Sequence, residues 1–144
     1  MKTGVDIMSI DRFKKHLNDE KFLERIFTKF EVEHIIQHKT RKGQLERMAG
    51  KYCAKEAVAK ALGTGIANGV CFNDIEIKED EYKRPIVNLK GKAKIIYDSL
   101  GFNSIEISIS HDNGMAVAFC VIVWCIFFQT LQNIVLQQLY FFIF

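Results

Sequence analysis

Residues 43–63 read GQLERMAGKYCAKEAVAKALG. Between Gly43 and Gly63, Leu45, Ala49, Tyr52 and Glu56 recur at spacings of three and four. At about 100° per residue they make one stripe of a long α-helix, which Gly63 stops. The stripe has an odd member, because Glu56 falls near the middle of the face that should be buried. A buried carboxylate is costly unless it meets a cation, so Glu56 calls for either a basic side chain or a metal ion. Lys60, one turn on, offers an i,i+4 ion pair. The spacing leaves both explanations open.

Toward the N-terminus, Gly4 to Ile10 reads as a short strand with Asp6 set among Val5, Ile7 and Met8. Gly4 permits the close approach of a backbone or ligand. Asp6 either caps the strand or joins Glu56 in a hard-cation site. Magnesium typically takes one or two protein carboxylates and completes its shell with water and substrate phosphates. Asp11 can cap a helix that starts at Arg12, and Asn18-Asp19 marks a break before a further turn through Phe22, Leu23 and Ile26. Thr28 and Glu31 have capping-box spacing, opening a helix over roughly residues 29–38.

Beyond the long helix, Gly63-Thr64-Gly65-Ile66-Ala67-Asn68-Gly69 is rich in glycine but lacks the Lys-Ser/Thr ending of a P-loop. It follows a helix where a phosphate cradle would open one, and it reads as a C-cap and turn. Residues 72–78 alternate around Ile75 and Ile77, and a strand follows from Pro85 to Leu89, with the proline at its start. Residues 92–100, between Gly91 and Gly101, form a short helix. Ile105, Ile107 and Ile109 then alternate with polar residues, and Asn113-Gly114 signals a two-residue hairpin into a buried strand from Met115 to Trp124. Helices and strands mix without regular βαβ alternation, so the class is α+β with mostly antiparallel pairing. His111 ends the strand before the hairpin, where side chains project into clefts. His34 and His38 have an i,i+4 spacing that can bind zinc, but they read as a solvated helix face because no HExxH accompanies them.

The chain has 144 residues, 49% hydrophobic and 26% charged, which suits one domain and excludes disordered, collagen-like and disulfide-knot proteins. Its net charge is only +3, but residues 12–60 carry 13 Lys and Arg against 7 Asp and Glu. That surface suits an anionic partner, or else solvated helix faces. Cys53, Cys71, Cys120 and Cys125 show no CxxC pair and sit among apolar residues, as buried thiols do in a reducing compartment. The N-terminus reaches Asp6 too early for a signal peptide, which points to a cytoplasmic address. After Asp112 no charged residue occurs, yet the apolar run from Met115 to Phe128 is too short to span a membrane.

Taken in order, Gly4-Val5-Asp6-Ile7, the run from Phe22 to Thr28, the run from Ala49 to Ala57, the block from Lys60 to Ile66, Asn73-Asp74-Ile75-Glu76-Ile77, Arg84-Pro85 and Ser108-Ile109-Ser110-His111 resemble the holo-[acyl-carrier-protein] synthase family of 4′-phosphopantetheinyl transferases. The resemblance spans roughly residues 4–123. It implies an α+β transferase fold, with a mostly antiparallel sheet against the long helix, and a homotrimer with active sites at subunit interfaces. It also implies transfer of the phosphopantetheine arm of coenzyme A to a serine of acyl carrier protein, in support of fatty acid biosynthesis. By the same resemblance Asp6 and Glu56 hold magnesium, while Lys60, Glu56 and His111 form the catalytic set. Lys51, Tyr52, Gly63, Thr64 and Gly65 contact coenzyme A, and Arg12, Lys21 and Arg25 receive the acidic carrier.

The chain departs from the family in having Lys51-Tyr52 where Arg-Phe is usual, which turns a bidentate phosphate contact into a point charge. The transferase domain is taken as residues 1–124. Residues 125–144, uncharged and rich in Gln and aromatics, form an extension with no counterpart in the family. A competing reading is a small basic module that binds nucleic acid without catalysis. The basic stretch lacks the exposed aromatics and glycine motifs of RNA-binding folds, so neither nucleic acid nor a transmembrane segment is expected.

Overall fold

The computed structural model describes residues 1–124, so expectations for residues 125–144 lie outside the described residues. In order come β1 (Lys2–Ser9), a 3₁₀ turn (Ile10–Phe13), α1 (Glu20–Ile26), α2 (Lys29–Ile36) and α3 (Arg41–Leu62). A second 3₁₀ turn (Phe72–Asp74) leads to β2 (Ile75–Glu79), β3 (Pro85–Leu89), α4 (Gly91–Ser99), β4 (Ser104–Asp112) and β5 (Met115–Val123). The α+β class expected from the mixed pattern is the one observed.

Local chemistry sets most boundaries. The Asp19 side chain accepts from Phe22 N at 3.1 Å to open α1. The Thr28–Glu31 capping box is complete and opens α2, since the Glu31 carboxylate accepts from Thr28 N at 2.8 Å. The start of α3 differs from expectation: the Thr40 hydroxyl accepts from Gly43 N at 3.1 Å, so Gly43 lies inside the first turn. Gly63 closes α3 in the left-handed region at φ +88°, as the sequence implies. Asp11 caps no α-helix. It pairs with Lys14 at 2.9 Å beside the 3₁₀ turn, for which Ser9 is the capping residue. Phe72–Asp74 is likewise a turn, because the Asp74 carboxylate accepts from Cys71 N at 3.1 Å, and β2 begins only at Ile75.

The larger sheet has the order β1-β5-β4, all antiparallel, and β2 pairs with β3 in a separate ribbon. Asn113 (φ +48°) and Gly114 (φ +77°) close the β4–β5 hairpin, the sign both central positions of a type I′ turn require. One face of the sheet, including Met8, Ala116, Ala118, Cys120 and Ile122, is buried under α3. Gly4 sets how close that packing is, because a Cβ there would collide with the Ala57 carbonyl oxygen. The other face carries Val5, Ile7 and Phe119, which are 52%, 62% and 46% exposed in the single chain.

α3 is buried around most of its girth, since Ala49, Ala54, Ala57, Ala59 and Ala61 let neighbours approach on several sides. The single-stripe expectation therefore misplaces Glu56, which sits half-buried at the rim. The carboxylate at the centre is Glu31 on α2. It pairs with Lys55 Nζ at 2.7 Å with both side chains wholly buried, and accepts from Ile77 N at 2.8 Å.

Candidate active site

β1 and α3 run together because Gly4 allows contact with the helix backbone, and this brings Asp6 beside the second half of α3. Lys60 Nζ donates to Asp6 Oδ1 at 2.9 Å and to the Val5 carbonyl at 2.9 Å. The i,i+4 pair between Glu56 and Lys60 does not form: the lysine reaches across to the strand, and among the described residues Glu56 makes no ion pair. Asp6 Oδ2 is buried without a hydrogen-bond partner. One turn before Lys60, Glu56 Oε1 accepts from the Tyr52 hydroxyl at 3.5 Å. Burial, then the Asp6 charge, push the Glu56 carboxyl above its ordinary range, while Lys60 pulls the other way. Burial and the Asp6 charge also push the neighbouring Cys53 thiol up to about 12, so it is a packing group with no nucleophilic character.

These observations fit a hard cation. Two carboxylates lie close enough to raise a pKa, and one buried oxygen lacks a donor. Among the described residues no group of three or more His, Cys, Asp and Glu is placed to hold a metal. A pair of carboxylates is the protein share magnesium takes when phosphates and waters supply the rest. His34 and His38 do not converge. His34 Nε2 faces Glu79 at 3.4 Å, whereas His38 Nδ1 meets Thr40.

The remaining candidates fall into three places. Gly63, Thr64 and Gly65 follow Lys60 after Ala61 and Leu62. The Thr64 and Gly65 amides both donate to the Ala59 carbonyl, and a Cβ at Gly65 would meet open space. This loop therefore offers room, with those two amides already engaged. Tyr52 and Arg12 line a groove of about 220 Å³ together with Phe13, His16 and Phe22. Lys21 and Arg25 are exposed on α1, with the Arg25 guanidinium 5.8 Å from the Phe22 ring centre.

Lys51 and His111 line a different hollow of about 270 Å³, with Arg47, Lys78, Lys83 and one acid, Glu79, also in its wall. Lys51 is buried and donates to the Ile77 carbonyl at 2.6 Å, and burial holds its ammonium below the ordinary lysine range. His111 is not beside Asp6 in this chain. It pairs with Ala116 on β5, two positions from the Ala118 that pairs with Asp6, so a strand separates the two. Sequence reasoning missed Arg47 and Lys83. Arg47 lies on α3 one turn before Lys51, but nothing local signals that β2 and β3 fold over that face.

The chain belongs to the 4′-phosphopantetheinyl transferase superfamily, whose family model matches residues 2–120. Within it, the chain is 44% identical over 124 residues to the holo-[acyl-carrier-protein] synthase of Ruminiclostridium cellulolyticum, covering 85% of this chain and 91% of that protein. It is similar in structure to the Helicobacter pylori holo-[acyl-carrier-protein] synthase in complex with coenzyme A, with a TM-score of 0.71, 34% identity, and 83% and 98% of the two chains covered. The Bacillus anthracis synthase in complex with CoA (3′,5′-ADP) gives a TM-score of 0.70 and 35% identity, covering 86% of this chain and 96% of that one.

Proposed function

We propose that this chain uses Asp6, Glu56 and Lys60 to transfer the 4′-phosphopantetheine group of coenzyme A to a serine of apo acyl carrier protein, releasing adenosine 3′,5′-bisphosphate. The observation that carries this reading is the junction of β1 and α3. There Lys60 grips one oxygen of Asp6, the other is buried without a partner, and Glu56 lies one turn away. Asp6 and Glu56 would hold magnesium, which when bound neutralises charge on the pyrophosphate oxygens.

The carrier serine oxygen attacks the β-phosphorus, and the bond from that phosphorus to the bridging oxygen breaks. The serine gives up its proton to water or to a carboxylate at the site as the new bond forms. The charge that develops on the departing bisphosphate meets the Lys60 ammonium. Gly63, Thr64 and Gly65 leave room for the nucleotide. Arg12, Lys21 and Arg25 face the acidic carrier and raise its association rate more than its affinity. Synthesis of holo carrier protein supports fatty acid biosynthesis.

The active unit in this proposal is a homotrimer. Two observations support it: the outer sheet face exposes Val5, Ile7 and Phe119, and His111 lies with Lys51 in a basic hollow away from Asp6. In a trimer that hollow would bind a phosphate of the coenzyme A whose pyrophosphate is held by a neighbour's Asp6 and Glu56. Residues 1–124 are taken as the transferase domain. A cytoplasmic location belongs to the same proposal, and among the described residues no helix is long and apolar enough to cross a membrane.

Full-length protein, coenzyme A and magnesium should add one phosphopantetheine mass to apo carrier protein, and the Glu56→Ala variant should not. A wild-type rate in Glu56→Ala would refute the site. Mixing Glu56→Ala chains with His111→Ala chains should restore about one quarter of wild-type activity if each site combines two subunits of a mixed trimer.

A further inference from the structure

Tyr52 stands one helical turn before Glu56, as Lys60 stands one turn after it. The Tyr52 hydroxyl reaches Glu56 Oε1 at 3.5 Å, and Lys60 Nζ reaches Asp6 Oδ1 at 2.9 Å. Each carboxylate of the pair thus has one oxygen engaged by a side chain of α3. Asp6 Oδ2 is left buried and unpartnered, and among the described residues Glu56 Oε2 accepts no hydrogen bond. The Tyr52 ring is itself held: its centre lies 5.4 Å from that of Phe13 on the first 3₁₀ turn and 5.1 Å from that of Phe72 on the second. The hydroxyl is therefore presented to Glu56 by a ring wedged between two elements remote in sequence.

We infer that Tyr52 is a positioning residue. Its hydroxyl holds Glu56 by Oε1 and so reserves Oε2 for the cation, the task that Lys60 performs on Asp6. The inference rests on the reading of Asp6 and Glu56 as the cation pair. The physical reason is the cost of ordering. A glutamate carboxylate at a half-open rim, repelled by a neighbouring carboxylate, rotates away from the cation unless something already holds one oxygen. Partners of this kind behind metal ligands typically change affinity by about 10–100-fold, and a bond as long as this one belongs at the lower end.

The test is a Mn²⁺ titration of the full chain followed by electron paramagnetic resonance, without coenzyme A or carrier, so that nothing turns over. Tyr52→Phe keeps the ring between Phe13 and Phe72 and removes only the hydroxyl. It should weaken Mn²⁺ about 10-fold while the thermal midpoint stays at the wild-type value. In the transfer assay the same variant should need about 10-fold more Mg²⁺ for half-maximal rate. If Tyr52→Phe binds Mn²⁺ within twofold of wild type while Glu56→Gln abolishes binding, the positioning role is overturned and the cation pair stands. If wild-type binding does not depend on Glu56 at all, the cation reading fails and this inference falls with it.

Discussion

At the scale of single residues, the site turns on which acid Lys60 serves. Its spacing from Glu56 advertised a helix-surface ion pair, yet the ammonium lies on Asp6 at 2.9 Å. An i,i+4 pair on a helix yields only about 0.2–0.5 kcal/mol, so a strand carboxylate flanked by a second acceptor, the Val5 carbonyl, readily outcompetes it. Lys60→Ala should lower kcat by about 10²–10³-fold, the scale for losing one donor to a developing oxyanion. Steady-state kinetics on the carrier modification reaction measure this. Loss confined to KM would assign Lys60 to ground-state binding instead.

At the scale of elements, α2, α3 and β2 are joined through the wholly buried Glu31–Lys55 pair, with Thr28 N and Ile77 N donating to the same carboxylate. Removing one partner leaves a buried charge, so Glu31→Ala should cost about 3–5 kcal/mol. Glu31→Leu combined with Lys55→Met should recover only part of that loss, because the Thr28 and Ile77 amides lose their acceptor. Urea denaturation of Glu31→Ala and of the double variant checks both statements.

Glu76 performs a similar task for the β2–β3 ribbon. Burial would raise its carboxyl, but hydrogen bonds, from Asn88 first, outweigh burial and hold it at about 2. A depressed carboxylate contributes stability that is fully present above its unfolded pKa and is lost as pH falls toward the folded value. Glu76 should therefore add on the order of 3 kcal/mol at neutral pH, lost between about pH 4.5 and pH 2. Wild type and Glu76→Gln should differ in urea midpoint at pH 7 and converge as pH drops through that window.

At the scale of the whole molecule, one sheet face is left without cover among the described residues. Phe119 on β5 pairs with Val5 on β1, and Ile7 lies two positions along the same face. An exposed apolar sheet of this kind marks an interaction surface, and a closed trimer would bury it three times over. Phe119→Glu should yield a monomer by light scattering and abolish transfer, because each site would lose its neighbour's His111. A Phe119→Glu chain that stayed trimeric would move the interface elsewhere.

Much of this architecture was legible in residues 1–124 taken one after another. The Thr28 capping box, the Gly63 stop and the Asn113-Gly114 hairpin are local devices whose chemistry lies within four residues, and each is found where its spacing put it. Asp6 and Glu56 were marked as anomalies because a carboxylate among apolar residues violates patterning wherever it occurs. Three further facts belong to tertiary structure alone: that Lys60 serves Asp6, that Glu31 is the acid at the centre, and that Arg47, Lys51 and His111 share a hollow. The reason is range. Caps and turns are fixed by bonds between near neighbours, whereas an ion pair between residues 6 and 60, or a hollow walled by α3, the β2–β3 ribbon and β4, exists only once a glycine lets a strand lie against a helix and a second ribbon folds over it.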